Sequence, residues 1–176
     1  MKLRFPVNKI AHWARQYDYP QQEADLIDMV PQVKKCGFLT LGQLLLVARW
    51  KSPRSAGRVE TNGDDFVRAI TGFALQSPNE RARIEVLTVL DGVGWPTASV
   101  ILHFFHPGEY PIMDFRALWS VSVHVPPQYD FPFWQKYVEF CRSVSERAGH
   151  DMRTLDRALW AFSARNQPIE GRIENG

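Results

Sequence analysis

Between Leu90 and Ala98 the chain reads Leu-Asp-Gly-Val-Gly-Trp-Pro-Thr-Ala, which describes a helix end, a turn containing two glycines, and a second helix opened by Pro96. Gly92 and Gly94 permit positive φ and place no side chain over the turn, so successive backbone N–H groups can approach an anion. The helix beginning at Pro96 adds the positive end of its dipole, which suits a phosphate oxygen. Val93 is expected to anchor the corner in the core, and Thr97-Ala98 to let the second helix pack closely on the first. Gly-Val-Gly also describes an ordinary helix C-cap and turn, and turn chemistry alone leaves both readings open.

A carboxylate follows at Pro111-Ile112-Met113-Asp114, immediately before Phe115-Arg116-Ala117-Leu118. An Asp in that place is an ordinary N-cap, worth about 1 kcal/mol. Arg116 beside it could hold the carboxylate through a charge-assisted hydrogen bond. Arg49, Lys51, Arg54 and Arg58 fall in one short segment, Arg81 and Arg83 in another. With Arg116 they form either a phosphate track on one face or a set of solvated charges balanced by nearby acids. His103, His106 and His124 have no helical zinc spacing and are read as structural or loop residues.

Helical periodicity must position these groups. Apolar residues recur at helical spacing between capping and breaking signals, with no convincing strand alternation and no internal repeat. Asn8 is expected to cap a first helix, Pro20 to open a second that ends near Gly37, and Pro31 to kink or split it. Thr40 with Gln43 forms a capping box ahead of an apolar helix that stops at Lys51-Ser52-Pro53. Asn62 is expected to cap a helix with Phe66, Ile70 and Phe73 facing inward, and Ser77-Pro78-Asn79-Glu80 to start the next at Ser77. Further helices are expected near 115–123, 133–148 and 152–164. The fold class is all-α, roughly eight to ten helices, in one domain over 1–166 with a flexible tail over 167–176. That tail contains Ile169-Glu170-Gly171-Arg172, which matches an engineered protease site.

Composition is compatible with this. The chain has 176 residues, 45% hydrophobic and 23% charged, with formal net charge +2, so the distribution of charge rather than its sum must decide about nucleic acid. Its apolar runs are too short to cross a bilayer, and no signal core follows Met1, so a cytoplasmic location is expected. Cys36 and Cys141 are the only cysteines. They cannot supply a four-cysteine zinc or iron–sulfur site, and both are read as reduced core thiols.

The order hairpin, helix, loop and aspartate over about 77–121 resembles the helix-hairpin-helix (HhH-GPD) DNA glycosylase superfamily that includes endonuclease III. The resemblance implies a helix-hairpin-helix bundle, as one body or as two lobes sharing a cleft, that binds double-stranded DNA. It implies base-excision chemistry on a flipped damaged or mismatched base, with Asp114 as the catalytic carboxylate. Cleaving an N-glycosidic bond develops positive charge on the sugar, which a carboxylate stabilises while water attacks. DNA contacts are then expected from Gly92, Val93, Gly94, Trp95, Thr97, Lys51, Arg54 and Arg116. Trp50, Tyr110, Phe115 and Trp119 are the candidates for the base pocket. A Na+ or K+ ion at the backbone of Leu90 and Gly92 would be the only cofactor.

The chain departs from the family in two ways. Relatives that also cut the backbone carry a lysine where this chain has Pro96, and no lysine lies between Lys51 and Lys136. Simple hydrolysis is therefore expected, with Lys51 either reaching the pocket from the earlier helix or contacting phosphate. The cluster cysteines of iron–sulfur relatives are also missing. The rival readings are a non-catalytic DNA-binding hairpin module and a helical protein-interaction domain.

Overall fold

A computed structural model describes residues 1–18 and 21–168; Pro20 and the 169–176 segment, including the engineered-looking site, lie outside the described residues. The described residues form ten α-helices and no strand: α1 Ile10–Ala14, α2 Gln21–Cys36, α3 Leu41–Lys51, α4 Ala56–Val59, α5 Asp64–Gln76, α6 Glu80–Leu87, α7 Trp95–Phe105, α8 Phe115–Ser120, α9 Phe131–Ala148 and α10 Met152–Asn166. None of them is long and apolar enough to cross a membrane.

Capping chemistry sets most of these boundaries. Thr40 Oγ1 accepts the Gln43 N–H at 3.3 Å while Gln43 Oε1 accepts the Thr40 N–H at 2.9 Å, so the expected capping box opens α3. Asp130 and Asp151 cap α9 and α10 through the N–H groups of Phe133 and Thr154. Gly149, at φ 64°, closes α9 in the left-handed conformation that glycine tolerates best.

Several expectations are corrected. Asn8 caps nothing, because the chain enters α1 through a 3-10 turn at Val7–Lys9. Pro31 does not split its helix: α2 runs unbroken from Gln21 to Cys36, with Leu26 and Met29 before the proline and Val33 after it all buried in the core. Phe66 and Phe73 are half exposed, at 48% and 53%, and Val67, Thr71 and Ala74 face inward instead. Thr71 explains the rotation. Its hydroxyl accepts the buried Leu39 N–H at 2.9 Å and donates to the Val67 carbonyl at 2.7 Å, and burying that hydroxyl with its partners turns α5. The cap of α6 is Asn79, whose side chain accepts the Ala82 N–H at 2.9 Å; Ser77 instead ends α5. Cys36 is exposed and Cys141 buried, so only the second is a core thiol.

The helices sort into two packed groups. In the first, α7 is buried along most of its length and packs on α2, α3 and α6. In the second, α10 packs on α1, α8 and α9, and the N-terminal segment joins it through Lys2 N–H to Val121 O at 3.0 Å and Arg4 N–H to Ser120 O at 2.9 Å. The α6–α7 corner is pinned from outside. Asn62, expected as a cap for α5, is buried and grips the corner by both backbone groups of Asp91: its Nδ2 donates to the Asp91 carbonyl and its Oδ1 accepts the Asp91 N–H, each at 3.0 Å.

Replacing Asn62 by Ala strands both Asp91 groups. It should lower unfolding free energy by about 1–3 kcal/mol, read as a lower urea midpoint at constant slope; an unchanged midpoint would show that the pin is dispensable.

Candidate functional site

At the corner between α6 and α7, Gly92 adopts φ 78°, the left-handed region. A Cβ there would lie 2.8 Å from the Ser55 carbonyl oxygen and 2.8 Å from Val59 Cγ2, so α4 and the turn before it press directly on the corner. Gly94 is extended, at φ −95°, and a Cβ on it would meet nothing nearer than Pro96 Cδ at 3.8 Å. The two glycines therefore serve different ends: Gly92 satisfies a backbone conformation and a close approach, and Gly94 keeps the space in front of the turn open. Val93 is buried, and its N–H donates to the Leu90 carbonyl at 3.0 Å, the same oxygen that the resemblance assigns to a monovalent cation. Beginning a helix leaves the N–H groups of Gly94, Trp95 and Thr97 without an earlier turn to bond, and none has a partner among the described residues.

This corner forms one side of a pocket of about 570 Å³, a size typical of small-molecule and cofactor sites. Gly92, Gly94, Pro96 and Thr97 line it together with Lys51, Ser52, Arg54, Ser55 and Arg58 from the end of α3 and the turn into α4. Asp114 and Phe115 line it from the start of α8, and Asp156 and Trp160 from α10. The pocket thus lies between the two helix groups. Asp114 is the N-cap of α8, accepting the Ala117 N–H on Oδ1 at 2.8 Å, and its Oδ2 accepts from Lys51 Nζ at 2.8 Å. Both side chains are largely withdrawn from water, 17% and 10% exposed, yet both reach the pocket. Arg54 and Arg58 form no ion pair among the described residues, so two cations stand at the rim beside the open amides.

Other expected residues lie elsewhere. Tyr110 is buried outside the pocket, its ring stacked on Trp134 at 5.7 Å and its hydroxyl held by Arg83 and Glu80. Trp119 stacks on Phe162 at 5.7 Å with Arg4 on its other ring contact, away from the pocket lining. Trp95 is half buried against Trp134 and does not line the pocket. Arg83 is buried and donates to Tyr110 and the Ser77 carbonyl, Arg81 pairs with Glu85, and Arg49 pairs with Glu60, so these three are not part of a free cationic track. Arg116 lies over the rings of Phe115 and Trp160, at 5.1 and 5.3 Å, while Lys51 rather than Arg116 meets the Asp114 carboxylate. His103 bonds the Tyr110 carbonyl at 2.6 Å. Burial, with Arg83 adding to it, pushes His106 down to about 4. Among the described residues no His, Cys, Asp and Glu side chains cluster as metal ligands.

Trp50 and Phe115 do line the pocket, and among the lining residues that sequence reasoning missed are Tyr17, Tyr129, Asp156 and Trp160. Asp156 carried a signal, being an acid one residue past Leu155 on the inward stripe of α10 that Met152, Leu155 and Leu159 define. Tyr17 and Tyr129 carried none. Burial, reinforced in sign by Asp114, raises the Tyr129 phenol, and burial pushes Tyr17 up to about 12. Both phenols therefore remain neutral donors at physiological pH.

Comparison with protein-family models, with curated proteins and with solved structures finds no match.

The contrast between the two glycines is measurable. Gly92→Ala should cost about 1–3 kcal/mol in chemical unfolding, and Gly94→Ala should stay within roughly 0.5 kcal/mol of the parent. Equal losses would contradict the division of roles.

Proposed function

We propose that this protein is a DNA N-glycosylase of the base-excision type, acting on a damaged or mismatched base flipped out of double-stranded DNA. One observation carries the reading: the Asp114 carboxylate and the open amide corner of Gly94 face the same pocket. A phosphate seated on the free N–H groups of Gly94, Trp95 and Thr97, with Arg54 and Arg58 beside it, would hold the strand at the rim. The extruded nucleotide then enters between Trp50 and Phe115, and its sugar meets Asp114. As the C1′–N bond lengthens, the base takes the electron pair and the carboxylate stabilises the positive charge left on the sugar. In the hydrolytic course, water adds at C1′ and its proton passes to the departing base, leaving an abasic site.

The 2.8 Å contact of Lys51 with Asp114 supports a second course at the same site. The expectation of hydrolysis rested on the missing lysine at Pro96, and Lys51 supplies an amine to the pocket from α3 instead. A proton passes from Nζ to Asp114, the amine attacks C1′, and the C1′–N bond breaks with the base collecting the proton from Asp114. The covalent Nζ–C1′ adduct passes a proton from nitrogen to O4′, the C1′–O4′ bond breaks, and the opened sugar is held as an imine.

Duplexes carrying a panel of lesions, followed by abasic-site cleavage, test the reading. Excision of at least one base is expected, with Asp114→Asn slowing it about 10²–10⁴-fold and Gly94→Val weakening duplex binding in a salt-dependent way. Salt-sensitive binding with no product from any lesion would leave a DNA-binding module without chemistry. No duplex affinity at low salt would leave a protein-interaction bundle. Borohydride added during turnover separates the two courses: a covalent protein–DNA adduct that disappears in Lys51→Gln marks the imine, and product without adduct marks hydrolysis.

A further inference from the structure

The pocket contains a second carboxylate that the chemistry above does not use. Asp156 is 91% withdrawn from water at its side chain, since only 9% is exposed, and it forms part of the pocket wall. Its Oδ2 accepts from Arg153 Nη1 at 2.7 Å, and Oδ1 has no partner among the described residues. The arginine is not free to move with it. Arg153 also pairs with Glu23, which is fully buried on α2, and its guanidinium packs over Phe104 at 5.1 Å and Tyr17 at 5.7 Å. The carboxylate is thereby held in one orientation, and Oδ1 keeps its acceptor capacity for whatever enters the pocket.

The surroundings indicate what enters. Trp160, one turn after Asp156 on α10, lines the same pocket and meets Tyr17 edge-on, with ring centroids 5.1 Å apart at 78°. An indole and a carboxylate four residues apart project from the same face of a helix, pairing a flat ring, which Arg116 already meets at 5.3 Å, with a hydrogen-bond acceptor. That combination fits the ring and the edge of a nucleobase.

We infer that Asp156 is a specificity residue that selects bases presenting adjacent N–H donors, the guanine-type edge with a ring N–H beside an exocyclic amine. The inference rests on the base-excision reading of this pocket. Such an edge donates once to Oδ1 and once to the remaining lone pair of Oδ2. Uracil and thymine present a single N–H flanked by two carbonyls, which the carboxylate repels. Hypoxanthine keeps the ring N–H and lacks the amine, so it forms half the contact. Asp114 works at the sugar, whereas Asp156 reads the base.

The test uses binding rather than turnover: the dissociation constants of the full chain and of Asp156→Asn for duplexes carrying uncleavable 2′-fluorinated 8-oxoguanosine, inosine or uridine. The parent should bind the guanine-type duplex roughly 10- to 100-fold more tightly than the uracil duplex, with hypoxanthine between them. Asp156→Asn, which keeps the shape and part of the bonding to Arg153, should compress that ranking to within about threefold while melting as the parent does. A role confined to pairing Arg153 would leave the ranking intact and lower only the melting temperature, and would overturn the inference. Equal binding of all three duplexes by the parent would overturn it without any variant. Failure of the glycosylase reading shows separately, as tight, ranked binding of the fluorinated duplexes with no excision from their cleavable counterparts.

Discussion

A cation and an anion held 2.8 Å apart with most of their surface out of water must be gripped from both sides, because neither side chain alone repays the loss of hydration. Lys51 is held by the last turn of α3, whose capping box and buried Leu44, Val47 and Ala48 lock it into the first helix group. Asp114 is held by the first turn of α8, which belongs to the second group, with one oxygen committed to the Ala117 N–H and the other left for the lysine. The contact therefore ties the two groups across the pocket. It also holds both groups in a fixed orientation, which is what the proposed chemistry, governed by developing charge, requires.

The backbone corner opposite depends on a different kind of restraint. Gly92 is packed so closely against Ser55 and Val59 that the turn into α4 is carried along with the hairpin. Asn62 fastens Asp91 from the far end of the same segment. One stretch of chain from Lys51 to Asn62 thus positions the lysine, the two unpaired arginines and the corner itself. The basic residues of that stretch reach the pocket because the backbone around them is pinned, and Arg49, two residues before Lys51 on α3, turns to Glu60 instead.

Charge inside the protein is organised in two further clusters that do different things. Arg83, Tyr110, Glu80 and Arg142 join α6, the loop before Asp114 and α9 into a network outside the pocket lining. Glu23, Arg153 and Asp156 join α2 to α10 and reach the pocket through Asp156. The first network does not reach the cavity. The second does, through a carboxylate in its wall.

Local chemistry made part of this legible in the linear chain. The all-helical class, the capping box at Thr40, the helix end at Lys51, the corner at Gly92 to Gly94 and the cap role of Asp114 each follow from residues within one or two turns of one another, where propensity and hydrogen bonding act directly. What adjacency does not encode was decided by packing. The one-residue shift of the buried face that exposes Phe66 and buries Thr71 came from a bond to Leu39 in another segment. Tyr110 and Trp119 have the same apolar, aromatic character as Trp50 and Trp160, and only the direction in which each ring is buried decides which pair meets the cavity. The pairing of Lys51 with Asp114 and the arrival of Asp156 beside them are meetings across long stretches of chain, fixed by how two helix groups close on each other rather than by any pattern within either.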